Sequence, residues 1–168
     1  MTVQIELSKG KGFALVDDED AALVSQYKWW LHVSPSRRNP LLYARCYVPG
    51  RKDMPMMHRL LTEWKLVDHI NGDGLDNRRE NLREATQAQN VANRRKFALS
   101  SSRFKGVHLG GRKKNRWIAK CHQVQIGAFD TEIEAALAYD AAAREFYGEF
   151  AALNFPAPGE NGALVTAA

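Results

Sequence analysis

No stretch of about 18 consecutive apolar residues occurs in this chain of 168 residues, so no membrane-spanning helix is expected. The N-terminus, MTVQIELSKGKG, lacks the apolar core of a secretory signal, and export is not expected. Cysteine is scarce. Cys46 and Cys121 lie far apart inside strand-like sequence and read as two reduced, buried thiols. With no Cys-x-x-Cys pair, a structural zinc site of the thiolate kind is excluded. The acids Asp17 to Asp20 lack the spacing of a calcium loop and instead suit the negative start of a short helix. No internal repeat is evident. The most informative absence is one of charge: Ala85 to Phe129 contains ten Lys or Arg and not one Asp or Glu. Residues from Asp130 onward reverse this, with seven acids and one base, Arg144. A segment with no compensating carboxylate attracts a polyanion, and counterion release would make that binding salt-sensitive. Nucleic acid is the expected partner.

What is present points to several small modules. Val3 to Leu7 and Phe13 to Val16 read as strands around the turn Lys9-Gly10-Lys11-Gly12. Lys28 to Val33 and Leu41 to Val48 read as two more, flanking a polar loop, with Trp29, Trp30, Tyr43 and Tyr47 filling a small core. Met56 to Trp64 is helix-like, with Met57, Leu60, Leu61 and Trp64 on one apolar stripe. Then come a strand at Val67 to Ile70, a loop rich in Gly, Asp and Asn, and a strand at Leu82 to Ala85. A helix capped by Thr86 is expected to run to about Lys96. After the linker come strands at Phe104 to Leu109, Trp117 to His122 and Val124 to Phe129. The last helix is Glu132 to Tyr147, with Thr131 and Glu134 at capping-box spacing and Gly148 as its stop.

The stretch VDHINGDGLDNRRENLREATQAQN, Val67 to Asn90, carries chemistry. Hard oxygen donors at Asp68 and Asn90 suit a divalent cation, and His69 titrates in the range of a general base for water. Together these are the parts of a metal-assisted phosphodiester cutter. The longer sequence HRLLTEWKLVDHINGDGLDNRRENLREATQAQN closely resembles HNH endonucleases of the phage and homing type, over about Met57 to Arg95. The resemblance implies a ββα-metal finger in which Asp68 and Asn90 bind one divalent ion, magnesium first and manganese second, and His69 is the base. Asn81 would hydrogen-bond across the loop and hold the His69 strand against the helix. His58 is read as a packing or phosphate-contact residue with an accessory role at most. Arg78, Arg79 and Arg83 are either phosphate contacts or ordinary solvated cations, and Asp73 and Asp76 are loop formers.

Ser101 to Pro156 resembles the DNA-binding domain of plant ethylene-response factors, the apetala-two family, through FKGVH, RWIAK, IGAFDTEIEAALAYDAAA and LNFP. The resemblance implies a three-stranded antiparallel sheet packed on one helix, with the sheet in the major groove of double-stranded DNA. Alternation agrees independently. Trp117, Ala119 and Cys121 share one strand face, and Arg116, Ile118, Lys120 and His122 share the other. Lys105, His108, Arg116, Lys120, His122 and Gln125 are the expected outward groove contacts, and Arg112, Lys113 and Lys114 the phosphate contacts. The first strand reads GVH where the plant family has GVR, so an arginine-to-guanine contact is missing at His108 and plant target preference does not carry over.

The expected fold class is α+β. A β-rich bracing segment (1–54) precedes the nuclease finger (55–96), a linker (97–102), the DNA-binding domain (103–156) and a disordered tail (157–168). The expected protein is a metal-dependent DNA endonuclease acting in the cytoplasm of a bacterial host. The competing reading is a DNA-binding regulator whose nuclease module is inactive. An RNA-binding sheet is disfavoured, because the strands lack exposed aromatics for stacking on bases.

Overall fold

The computed structural model describes residues 1–35, 40–96, 100–110 and 116–163. It divides into two units, Met1–Gln87 and Ala88–Ala168. The first begins with β1 (Thr2–Glu6) and β2 (Phe13–Asp17), an antiparallel pair joined by a turn in which Lys9, Gly10 and Gly12 have positive φ. Helix α1 (Asp18–Val24) follows at once, with Asp18, Glu19 and Asp20 in its first turn. There the unpaired N–H groups of the helix favour negative charge. A hairpin of β3 (Trp29–Val33) and β4 (Leu42–Cys46) leads to α2 (Met57–Thr62), which stops where Glu63 turns left-handed. Trp64 therefore falls beyond the helix and stands exposed, so the expected apolar stripe ends at Leu61. Strands β5 (Val67–His69) and β6 (Leu82–Glu84) close the unit as an antiparallel pair.

One core serves β1 to β4 and both helices, and Leu75 of the loop before β6 packs against it. Leu7, Ala14, Val16, Val24, Trp29, Ala44 and Cys46 pack with Met57 and Leu61. The expected boundary at 54/55 runs through this cluster, so the N-terminal strands and the nuclease segment fold as one unit. A finger of that size has too little apolar surface to bury alone. The bracing is specific. Leu15 N–H donates to the Leu75 carbonyl and Asn77 N–H to the Leu15 carbonyl, both at 2.8 Å, so the loop before β6 adds to the edge of β2. Arg79 donates through its backbone to Asp17 (2.7 Å) and through its guanidinium to the buried Asp20 (2.9 and 2.7 Å). The acid run at the start of α1 is thus the anchor of Arg79.

At the division lies α3 (Gln87–Ala92), shorter than expected because Lys96 N–H turns to the Ala163 carbonyl instead of extending the helix. In the second unit β7 (Val107–Leu109), β8 (Trp117–Cys121) and β9 (Val124–Phe129) form an antiparallel sheet under α4 (Glu132–Tyr147). Thr131 and Glu134 close the capping box on α4. Val107, Ala119, Ala135, Ala136 and Phe104 fill the sheet–helix interface. Gly106 has φ +73°, and a Cβ there would lie 2.0 Å from the Tyr139 ring, so this position must stay bare.

Two expectations are corrected at the ends of this unit. Of the linker, residues 97–99 lie outside the described residues. Ser102 is buried, its hydroxyl donating to Glu132 (2.7 Å) and accepting from Phe104 N–H (2.9 Å), so it belongs to the domain. Of the tail, residues 157–163 are ordered and 164–168 lie outside the described residues. β10 (Ala152–Leu153) pairs in parallel with β11 (Asn161–Gly162), and Arg144 grips Glu160 through two 2.8 Å contacts. Among the described residues no helix is long and apolar enough to cross a membrane.

Candidate active site and nucleic-acid interface

The β5–β6 register sets Asp68 opposite Arg83 and His69 opposite Leu82. Both Asp68 and His69 are buried, each 6% exposed. Between the strands the chain folds on its own side chains. Asn71 Oδ1 accepts from Asp73 N–H (2.9 Å) and Asp73 Oδ1 from Leu75 N–H (3.0 Å), two successive side-chain turns. Asn81 spans the loop, accepting from Asn71 N–H at 2.9 Å and donating to the Asp76 carbonyl at 2.7 Å. Asp76 takes both arms of Arg78 at 2.8 Å, which holds its carboxyl below the usual range. Arg78 and Arg79 are therefore committed to carboxylates of this unit.

His69 Nε2 lies 3.5 Å from Asn77 Oδ1. The amide orientation follows from its other end, because Asn77 Nδ2 donates to the Leu75 carbonyl at 3.1 Å. Oδ1 can only accept, so this contact favours the tautomer with the proton on Nε2 and the basic lone pair on Nδ1. Burial pushes the His69 pKa below its ordinary value, against the raising effects of Asn77 and the nearby carboxylate of Asp68.

Two more rings set the plane of His69. His58 meets it edge-on with centroids 4.9 Å apart, and Tyr43 touches both, at 5.6 Å from His58 and 5.9 Å from His69. Gly74 lets the loop press on this cluster: a Cβ there would lie 2.3 Å from the Leu42 carbonyl and 2.5 Å from the Tyr43 ring. His58 is buried, its Nδ1 has no hydrogen-bond partner, and burial pushes its pKa down to about 3. It is uncharged at neutral pH, which fits packing and removes it as a cationic phosphate contact.

Arg83 donates to Asp68 through Nε (2.9 Å) and Nη2 (2.8 Å), both on Oδ2. Among the described residues no group of three or more His, Cys, Asp or Glu could hold a metal ion. What the strand pair itself offers is the buried carboxylate of Asp68, with no thiolate beside it. That fits a hard cation completed by carboxamide, water and phosphate oxygens rather than a caged zinc. Asn90 stands on α3, past the division of the chain. Sequence reasoning missed Asn77, which looked like one more loop amide, and Tyr43, which was assigned to the core. The direct opposition of Arg83 and Asp68 needed the strand register.

On the sheet of the second unit, His108, Lys120 and Gln125 are exposed on the face away from α4, with His108 opposite Ile118 and Lys120 opposite Gln125. Three expected contacts are placed otherwise. Lys105 is half-buried with its ammonium on the Ala92 carbonyl, and burial pushes its pKa down to about 8. His122 has φ +47° in the tight β8–β9 turn and stacks on Phe146 with centroids 5.7 Å apart, which takes it off the strand face. Arg116 pairs with Asp130 at 3.0 Å. Arg112, Lys113 and Lys114 lie outside the described residues.

A family model described as HNH endonuclease matches residues 62–92, the segment from the end of α2 through α3. An uncharacterized HNH endonuclease of Acanthamoeba polyphaga mimivirus is 35% identical over 161 residues, covering 88% of this chain and 78% of its own. APETALA2-like protein 2 of Oryza sativa is 48% identical over 65 residues, and the dehydration-responsive element-binding protein 2D of Arabidopsis thaliana is 43% identical over 63. Those matches cover 35% and 34% of this chain but only 14% and 30% of the plant proteins. No solved structure matches.

Proposed function

The chain belongs to the HNH endonuclease family, and from that premise we propose that it hydrolyses phosphodiester bonds of double-stranded DNA with His69 as the general base. The observation supporting this reading is the Nε2–Asn77 contact of the buried His69, which favours the tautomer with Nδ1 as the proton acceptor. Nδ1 takes a proton from water, the water oxygen bonds to phosphorus, and the leaving sugar oxygen departs. Depression of the His69 pKa keeps the base deprotonated at neutral pH. Asp68 would hold one divalent ion, magnesium or manganese, and the sequence pattern names Asn90 as its second ligand. When bound, that ion would stabilise charge on the leaving oxygen and fix the scissile phosphate. Asn81 keeps the loop closed around the base, and Tyr43 and His58 keep its ring in plane. The exposed sheet face with His108, Lys120 and Gln125 supplies DNA contacts, in keeping with the likeness to plant DNA-binding proteins.

The test is a plasmid-nicking assay with magnesium, comparing the wild type with His69→Ala. The wild type is expected to cut, and the variant to bind DNA equally well without cutting. Equal binding with no cutting by either protein would instead favour the DNA-binding regulator.

A further inference from the structure

We propose that Arg83 makes cation binding at Asp68 conditional on DNA, an inference that rests on the metal-assisted reading above. The strand register puts the two residues face to face, and their side chains are only 12% and 7% exposed. Both guanidinium contacts fall on the same carboxylate oxygen, at 2.9 and 2.8 Å. The pair is therefore neutral before any cation arrives. A divalent ion at Asp68 meets a fixed positive group as its neighbour, in a place that salt screens poorly. The other acids of this loop have partners of their own. Asp76 is committed to Arg78, and Asp73 caps the Leu75 N–H. Among the described residues no cluster of three acids or other ligating side chains stands in reserve.

The missing negative charge is what a phosphodiester brings. A guanidinium binds a phosphate as readily as a carboxylate, so DNA both adds charge and gives Arg83 an alternative partner. Cation and DNA then bind with positive coupling, and the coupling is reciprocal: each tightens the other by the same factor.

The experiment measures Mn2+ binding by electron paramagnetic resonance, with and without a short DNA duplex. It uses the His69→Ala protein so that the duplex stays whole. Asp68→Asn in the same background sets the level of manganese held by the duplex alone. Arg83 intact, Mn2+ is expected to bind about tenfold or more tightly when DNA is present, the lower end of what one nearby charge does to an ionised site. Arg83→Gln is expected to bind Mn2+ without DNA about tenfold more tightly than its parent, with the gain from DNA largely lost. Arg83→Lys keeps the charge and is expected to remain DNA-dependent.

Affinity indifferent to DNA in the parent overturns the proposal without any Arg83 variant, even if Arg83→Gln fails to fold. Weaker Mn2+ binding in Arg83→Gln, or DNA-independent binding in Arg83→Lys, overturns it as well. Failure of the general-base reading is separate, because it shows as cutting by the His69→Ala protein and not in the metal isotherms.

Discussion

Acidification from pH 7 to pH 5 should destabilise the first unit through its buried histidines, and His58 supplies the magnitude. Its folded pKa is pushed down to about 3 by burial, next by His69 and then by Arg59, while an unfolded histidine titrates near 6.5. Below pH 6.5 the unfolded chain takes up a proton that the native chain refuses, so stability rises with pH and falls on acidification. The loss continues until the pH reaches the folded value. At pH 5 the gap between medium and unfolded pKa is about 1.5 units, worth about 2 kcal/mol at 1.36 kcal/mol per unit. His69 is depressed in the same direction and adds to it. The lowered carboxylates, Asp76 and Glu160, act in the same direction but in a lower window, losing stability as the pH falls from the ordinary carboxylate range toward their folded values. The interval from pH 7 to pH 5 therefore isolates the imidazoles. Urea denaturation followed by tryptophan fluorescence, to which Trp29, Trp30 and Trp64 of this unit contribute, measures it at both pH values, with His58→Phe as the comparison. The wild type should lose about 2 kcal/mol more than the variant over that interval. An equal loss in both proteins would mean that His58 accepts a proton in the folded state, and the account of its burial would fail.

Asn77→Ala should lower kcat about 10- to 100-fold with DNA binding retained, since the base loses the acceptor that sets its tautomer. In the same assay the acid limb of the pH profile should move down, because the Asn77 contact raises the His69 pKa; Asn77→Asp should move it up, and limbs that stay put contradict the tautomer argument. Gly74→Ala puts a methyl 2.3 Å from the Leu42 carbonyl, and thermal melting should show a loss of about 1–3 kcal/mol, together with slower nicking as Tyr43 is displaced. Lys120→Ala should flatten the dependence of DNA affinity on salt by about one contact, while Lys105→Ala should leave it unchanged because that ammonium is held by the Ala92 carbonyl.

Elements whose stabilising signals are local were legible in the sequence. The capping box at Thr131 and Glu134, the alternation in β8 and the tight turn before β9 each act within a few residues, and all three stand where periodicity puts them. Boundaries decided by distant partners were not. Whether the tail after Pro156 is ordered depends on Arg144 meeting Glu160, and α3 stops early because Lys96 finds the Ala163 carbonyl. The boundary expected after residue 54 failed for the same reason. Composition marks where a segment ends, but the sharing of a core by Trp29 and Met57 is a property of packing.

The site divides along the same line. Residue type alone nominated Asp68 and His69, because few side chains bind hard cations or trade protons near neutral pH. Their surroundings are built from residues whose type is uninformative. Asn77 resembles every other amide in a loop of amides until its Oδ1 is seen beside Nε2, and Tyr43 resembles a core aromatic until its ring is seen against two histidines. Arg83 shows this most sharply. In sequence it is one of three arginines within six residues, each equally suited to a phosphate. The structure separates them by the carboxylate each one meets: Asp76 for Arg78, Asp20 for Arg79 and Asp68 for Arg83. Two of these pairs hold the loop and the helix in place. The third neutralises the carboxylate proposed to carry the cation, so the same ion-pair chemistry becomes structural or functional according to which acid it captures.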